Sequence, residues 1–452
     1  MIHNMTEDQI TLHIIKILKE NKQKELDAVL DELQPYDIAQ IYADLPEKHR
    51  TRFLLHLKID LLADLIQELD RDEQFKVLNK LAIERKSQVL DEMDNDDLAS
   101  LLDDLSPEKM ASLLAGMKIE ESKIVQNIMN YPPETAGRMM TNRFVWIRDY
   151  YTVRDAVDKL KSFAEFAETL NYLYVVDNHR KLVGVVSYRD LLIADANERI
   201  SNIMYERVIS VSDLMDQEEV ARVIERYDFL AIPVVNEKDV LMGIITVDDI
   251  IDVVIREANE DIEKLSASGK AIDFDTKAFV AAYRRLPWLV LLLFIGLISG
   301  SIISGYESTL QQVVALTYFM PMISGMTGNT GTQSLAVVVR GLAVNDLDKK
   351  AIFNLIMRES GVGIIIGVTC GLLISIIAYV WLGNPMLGVV VGASLLITLI
   401  IGTLAGTIIP IFLYRINIDP AVASGPLITT LNDIFSLIIY FGIATAFMHY
   451  LL

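Results

Sequence analysis

The side chain that most constrains the chemistry of this chain is Asp433. It stands near the middle of the last apolar stretch, residues 421–452, which contains no Lys or Arg. A carboxylate at bilayer depth costs about 3 kcal/mol on insertion scales, so such groups face wet cavities and serve ion or proton paths. Thr429, Thr430 and Asn432 precede it, and Gly425 with Pro420 and Pro426 is expected to loosen its helix. A second polar run, Pro321 to Gln333, lies inside the apolar stretch 313–342. Its Gly and Pro residues are expected to free backbone carbonyls, and irregular backbone at that depth is tolerated only where protein or water covers it. Two readings fit the glycines: a seam where helices approach closely, or part of a lining. The whole run beside a carboxylate-bearing stretch favours a lining made of Gly325, Gly328, Asn329, Gly331, Thr332 and Gln333 with Thr429, Thr430 and Asn432. The expectation is a cation site in a membrane pore.

Hydroxyl, amide and carbonyl oxygens around one carboxylate suit a hard divalent cation that keeps most of its water, as Mg²⁺ does. Soft metals would want Cys, Met or His, and none sits beside Asp433. Mn²⁺ and Co²⁺ remain open on these residues alone, as does a proton-coupled carrier using Asp433. The lack of a second intramembrane acid argues against that carrier. Five helices enclose little space, which suggests a symmetric dimer pairing two copies of Asp433 across an axis.

Five stretches are long enough to cross a bilayer at ~20 residues each: 286–304, 313–342, 355–382, 386–414 and 421–452. Arg284 and Arg285 precede the first, while Arg340, Lys349, Lys350 and Arg358 surround the second connection and Arg415 the fourth. The other two connections carry no Lys or Arg, so the positive-inside rule puts the N-terminus in the cytoplasm and the C-terminus outside. The start, Met1-Ile-His-Asn-Met-Thr, has no basic, apolar leader.

Of 41 basic and 61 acidic residues, 36 and 55 fall before Leu286, so nearly all of the net charge of −20 belongs to the N-terminal part. That balance argues against a nucleic-acid partner, since phosphate binding needs clustered Lys and Arg. A lone Cys370 excludes a disulfide framework. Six scattered histidines form no zinc-hydrolase spacing, and neither a nucleophile–base pair nor a Walker loop appears, so no enzyme is expected.

Two repeats organise the acidic part. Leu33, Leu45, Leu57, Leu69, Leu81, Met93, Leu105 and Met117 recur every twelve residues. Short helices of about ten residues with acidic first turns, stacked as a superhelix, are the expected structure. The cluster Asp91, Glu92, Asp94, Asp96 and Asp97 reads equally as a cap with a solvated turn and as a weak cation site. A different repeat spaces Gly184 and Gly243, Ser187 and Thr246, and Asp190 and Asp249 by 59 residues. Each copy reads as a strand, a turn, a strand and a helix opened by Ser or Thr. This resembles a tandem pair of cystathionine-β-synthase (CBS) domains, many of which bind adenine nucleotides such as ATP through a Ser/Thr-x-x-Asp. Ser187/Asp190 and Thr246/Asp249 match that pattern, and they match plain helix caps as well. Beyond them, Asp248, Asp249, Asp252, Glu257, Glu260, Asp261 and Glu263 alternate with Ile and Val, which predicts an acidic amphipathic helix ended by Gly269. A further helix, 274–285, would enter the membrane.

Taken in order, these parts resemble the MgtE-type magnesium channels over essentially the whole chain. The resemblance rests on Tyr131-Pro-Pro-Glu-Thr-Ala-Gly-Arg-Met-Met140, on Gly325-Met-Thr-Gly-Asn329-Thr-Gly-Thr-Gln333, and on Asp419-Pro-Ala with Pro426-Leu-Ile-Thr-Thr-Leu-Asn-Asp433. Some members carry Asn where Thr332 stands. The implied fold is multi-domain. Residues 1–130 form an all-α N-terminal superhelical domain, and 138–200 and 201–256 an α+β CBS pair. Residues 257–285 form a connecting helix, and 286–452 an α-helical transmembrane domain with five helices. The resemblance also implies a plasma-membrane homodimer passing Mg²⁺ through Asp433 at the subunit interface. Regulatory Mg²⁺ would bind at Asp216, Glu218, Asp228, Asp249, Asp252, Glu257, Glu260, Asp261 and Asp419, with Asp94 and Asp97 in the N-terminal domain. Ser100 stands where a further acid is expected.

Overall fold

The computed structural model describes residues 5–452 except 104, 165, 166, 168, 269–271, 273–275, 345–348 and 417. The chain divides into two compact units, Met1–Val254 and Ile255–Leu452.

Among the described residues of the first unit, ten short helices run from Glu7–Glu20 to Ile119–Met129. Most open on an acidic first turn, as in Pro35–Asp44, Arg71–Lys80 and Pro107–Leu114, where carboxylates meet the positive end of the helix dipole. The twelve-residue repeat marks the exits of these helices rather than their faces. Leu45, Leu57, Leu81 and Met93 each leave a helix in extended backbone and bury their side chains in one core. Burying each contributes about 2 kcal/mol, so the repeat spaces the turns and the turns feed the core.

Each copy of the 59-residue repeat forms a three-stranded sheet in chain order. The strands are Phe144–Arg148, Thr169–Val176 and Leu182–Ser187 in the first copy, and Val211–Ser212, Ala231–Val235 and Leu241–Thr246 in the second. In both, the first strand runs parallel to the second and the second antiparallel to the third. Sequence reading found the last two strands of each copy and missed the first: Val211–Ser212 is too short to carry a period, and Phe144–Arg148 lies ahead of the matched repeat. Reciprocal backbone bonds, Leu182 N to Asp239 O and Leu241 N to Arg180 O, join the copies at their hairpin turns.

Five long helices make up most of the second unit: Ala278–Gly305, Leu316–Val344, Lys349–Leu382, Pro385–Arg415 and Gly425–Ala446. Four of them are long and apolar enough to cross a membrane; Leu316–Val344, which carries the polar run, is the exception. Pro385–Arg415 is the central helix and packs against Lys349–Leu382, Leu316–Val344 and Gly425–Ala446. Gly269 and Phe274 lie outside the described residues. The acidic amphipathic helix is Val247–Leu265, and the next helix runs unbroken from Ala278 through Pro287 into the apolar stretch.

Two expectations about backbone are corrected. The polar run does not interrupt its helix, which continues through Pro321 and all the glycines. Thr327 and Thr330 bond back to the carbonyls of Ile323 and Met326, and that internal bonding is available to hydroxyls inside a helix. Nor do the prolines loosen the Asp433 helix. Pro420 and Pro426 sit at the first turns of Pro420–Val422 and Gly425–Ala446, where a missing N–H costs nothing.

Candidate functional site

The polar helix, Leu316–Val344, has two unlike faces. Pro321, Gly325, Asn329, Gln333 and Arg340 are exposed, while Thr327, Gly328, Thr330, Gly331 and Ser334 are buried. Steps of four residues from Pro321 to Gln333, and of seven on to Arg340, keep the exposed set on one stripe of the helix. A single chain therefore leaves amides uncovered along a membrane-length helix.

Asp433 lies beside this helix, half-buried, and accepts a hydrogen bond from the hydroxyl of Ser324. Ser324 was not singled out from sequence; its position next to Gly325 in the polar run was the available signal. Thr429 and Thr430 share the Asp433 stripe. Their hydroxyls donate to Pro426 O at 2.9 and 2.7 Å, and Thr332 donates to Asn329 O at 2.9 Å. With their protons spent on the backbone, these oxygens can accept bonds from the waters of a hydrated cation.

Asn432, Gly328 and Gly331 have a different place from the rest of the expected lining. Asn432 is fully buried and its Nδ2 donates to Thr327 O at 3.3 Å. A Cβ on Gly331 would stand 2.1 Å from Asn432 Nδ2, and one on Gly406 2.1 Å from Gly331 O. These residues form the seam between helices, whereas Gly325 meets nothing within 4 Å. The packing reading of the glycines therefore applies to Gly328 and Gly331, while Gly325 lies on the uncovered face.

Asp433 is not the single carboxylate among these helices, which corrects the argument from a missing second acid. Glu359, on Lys349–Leu382, is 5% exposed. It stands beside Arg358 inside the apolar stretch 355–382 and was not singled out from sequence.

At the base of this unit, Lys264 reaches Glu260 at 2.6 Å and Asp419 at 2.5 Å. Asp419 also accepts from Ala421 N at 2.8 Å, capping the short turn Pro420–Val422. Burial, with Asp419 next, raises the pKa of Asp261. The Lys264 ammonium is partly desolvated, yet hydrogen bonds to Asp419 and Glu260 hold its pKa above the usual range. Expected cation ligands thus converge, around an ammonium belonging to the chain itself.

A second convergence lies within the first unit. Gln67 Nε2 donates to Asp94 at 2.9 Å and to Asp97 at 3.0 Å, and Arg143 pairs with Asp94 at 2.9 Å. Asp97 is exposed to solvent. Crowding by surrounding protein, followed by the charges of Asp249 and Asp94, nevertheless pushes it up to about 7. Asp249 is pushed up to about 6 by burial, against a 2.6 Å bond from Thr246 Oγ1. These acids are too negative a group for their own counter-charges, which fits a divalent cation. Ser100, the missing acid, instead accepts from Arg71 at 2.9 Å.

Asp216, Glu218 and Asp228 do not gather. Asp216 caps the start of Gln217–Tyr227 and Asp228 ends it, about 18 Å apart at 1.5 Å per residue. Glu218 pairs with Arg222 at 3.2 Å. Among the described residues, no three Asp, Glu, His or Cys side chains stand close enough to ligate one metal ion directly.

Ser187 and Asp190 form a reciprocal cap and also line a cleft of about 500 Å³ with Tyr172, Arg189 and Tyr205. An adjoining cleft of about 230 Å³ adds Tyr174, Arg207 and Phe229. Aromatic faces for a base, a carboxylate for a ribose and two guanidiniums for phosphates fit a nucleotide. Thr246 and Asp249 sit instead in the acid cluster.

Known proteins place these parts in a family. The MgtE intracellular N domain matches residues 33–134, the CBS domain matches 136–197 and 200–256, and the divalent cation transporter domain MgtE matches 320–443. Magnesium transporter MgtE of Bacillus subtilis (strain 168) is 61% identical over 449 residues, covering 99% of this chain and 100% of that protein. The chain belongs to the MgtE family. Magnesium transporter MgtE of Thermus thermophilus is 37% identical, with 97% and 98% covered. These relatives of the MgtE-family chain are named as transporters, not as enzymes. A crystal structure of the soluble part of a magnesium transporter superposes with a TM-score of 0.54 at 38% identity, covering 56% of this chain and all of that one. The cytosolic domain of the Mg²⁺ channel MgtE in complex with ATP superposes at 0.50 and 35% identity, covering 54% and 99%.

Proposed function

We propose that this chain is a Mg²⁺ channel of the plasma membrane, a homodimer whose pore lies between the subunits and closes when cytoplasmic Mg²⁺ is high. The observation that carries the reading is the juxtaposition of Asp433, bonded to Ser324, with an uncovered stripe of Gly325, Asn329 and Gln333. Five crossings follow if the polar helix spans the membrane with its amides turned to water and a second copy covering them. The N-terminus is then cytoplasmic and the C-terminus outside. The Asp433 carboxylate of each chain, with neutral oxygens around it, holds Mg²⁺ through its water shell rather than by stripping it.

Gating follows from charge. Asp94, Asp97, Asp249 and Asp252 form one group, and Glu257, Glu260, Asp261 and Asp419 supply another; Arg143 and Lys264 offset part of each, and the remaining repulsion is relieved by divalent cations. Asp216, Glu218 and Asp228, separated within one chain, take part across the dimer. A cation shifts the open–closed balance only if its sites are tighter in one state, and sites that need the acids drawn together meet that condition. ATP or another adenine nucleotide in the cleft lined by Ser187 and Asp190 would tune the same module.

Uptake into proteoliposomes tests the reading. Mg²⁺ should enter down its gradient without a pH gradient, and Mn²⁺ and Co²⁺ should compete less well than Mg²⁺ itself. Uptake that requires a proton gradient would turn the account toward a coupled carrier.

A further inference from the structure

Glu359 faces away from the uncovered stripe, yet it is a carboxylate buried among helices of a membrane domain. Such a group persists only where donors saturate it. Ser334 Oγ donates to Oε2 at 2.9 Å, and Arg358 donates to Oε1 through Nε at 3.2 Å and Nη2 at 2.9 Å. Arg358 itself reaches outward, with its side chain 58% exposed. The carboxylate is therefore held from one side and holds Ser334 on the other.

Ser334 follows Gln333 directly, and one residue is about 100° of helix rotation. A bond that keeps Ser334 turned inward keeps Gln333 turned outward, with Asn329 one turn earlier on the same stripe. The contacts at Gly328 and Gly331 allow close approach, but glycines have no side chain with which to index rotation. We infer that Glu359 is a positioning residue: it clamps Ser334 and so sets the rotation of the polar helix that presents Asn329 and Gln333 to the conduction path. The role of that face rests on the pore reading above; the clamp itself does not.

The test uses full-length protein in proteoliposomes, in a Cys370→Ser background that removes the one native thiol. Thr332→Cys and Gln333→Cys are labelled separately with a charged, membrane-impermeant thiol reagent, and the ratio of rates reports helix rotation. With Glu359 intact, position 333 should label faster. Glu359→Ala should lower the 333:332 ratio roughly fivefold, the size of an ordinary side-chain coupling. Ser334→Ala should do the same, and the double variant should go no further. Glu359→Gln, whose amide oxygen still accepts from Ser334, should keep the ratio. In otherwise native sequence, Glu359→Ala should raise the KM for Mg²⁺ uptake more than it lowers the maximal rate. An unchanged ratio in Glu359→Ala, an equal fall in Glu359→Gln, or full additivity with Ser334→Ala would overturn the clamp. Labelling as expected without any Mg²⁺ uptake by the parent protein would leave the clamp standing and remove the pore reading.

Discussion

Asp97 shows how one side chain can report the state of a whole acidic group. Crowding and the charges of Asp249 and Asp94 push it up to about 7, against about 3.9 for a free Asp. The folded protein thus holds a proton that the unfolded chain releases between about pH 4 and 7. The stability contributed by protonated Asp97 is complete below that window and is lost as pH rises through it. Without divalent cations, full-length protein in detergent should lose more melting temperature between pH 5.5 and 7.5 than Asp97→Asn does. At pH 7.5 the variant should melt about 2–4 °C higher and gain less from added Mg²⁺. Identical pH profiles for the two proteins would remove Asp97 from the proposed cation site. Nothing in the sequence distinguishes this residue from Asp94 or Asp96, because the crowding comes from elements far along the chain.

At the scale of elements, the two faces of the polar helix make opposite predictions. Gly331→Ala drives a methyl against Asn432 and the central helix, an overpacking that typically costs 1–3 kcal/mol. It should lower the melting temperature and the yield of folded protein. Gly325→Ala meets open space in the protomer and should fold normally, since alanine favours the helix by about 1 kcal/mol. Equal melting of both variants would contradict the division of faces. The linker helix makes a third prediction. Lys264 neutralises Glu260 and Asp419, so Lys264→Gln should let Mg²⁺ protect residues 266–277 from protease at concentrations at least about threefold lower, a surface-pair energy of ~0.7 kcal/mol. An unchanged titration would show that the ammonium does not compete.

These elements also show how much a sequence discloses. The apolar stretches, the twelve-residue spacing and the doubled Ser/Thr-x-x-Asp were legible because each is a local pattern. The rotation of the polar helix was not, since the stretch from Pro321 to Ser334 is mostly Gly, Ser, Thr, Asn and Gln and carries no apolar period. Only packing against Pro385–Arg415 and Gly425–Ala446 divides them into Asn329 and Gln333 outside and Gly331 and Ser334 inside. Glu359 stayed hidden for the same reason: its partner Ser334 lies 25 residues away.

For the whole molecule, the charge division near Leu286 separates an acidic part from an apolar one, and the proposed function couples them through divalent cations. Its central claim is that the Asp433 carboxylate attracts a hydrated Mg²⁺ into a path between two chains. The direct measurement is Mg²⁺ flux into proteoliposomes holding equal amounts of folded dimer, comparing the parent protein with Asp433→Asn and Asp433→Glu. Asparagine keeps the shape and an acceptor for Ser324 but removes the charge, and should cut Mg²⁺ flux at least roughly tenfold, the effect of about 1.4 kcal/mol in ion binding. Glutamate should restore part of it. Full Mg²⁺ flux through Asp433→Asn would mean that the carboxylate does not recruit the ion, and the account would fail there.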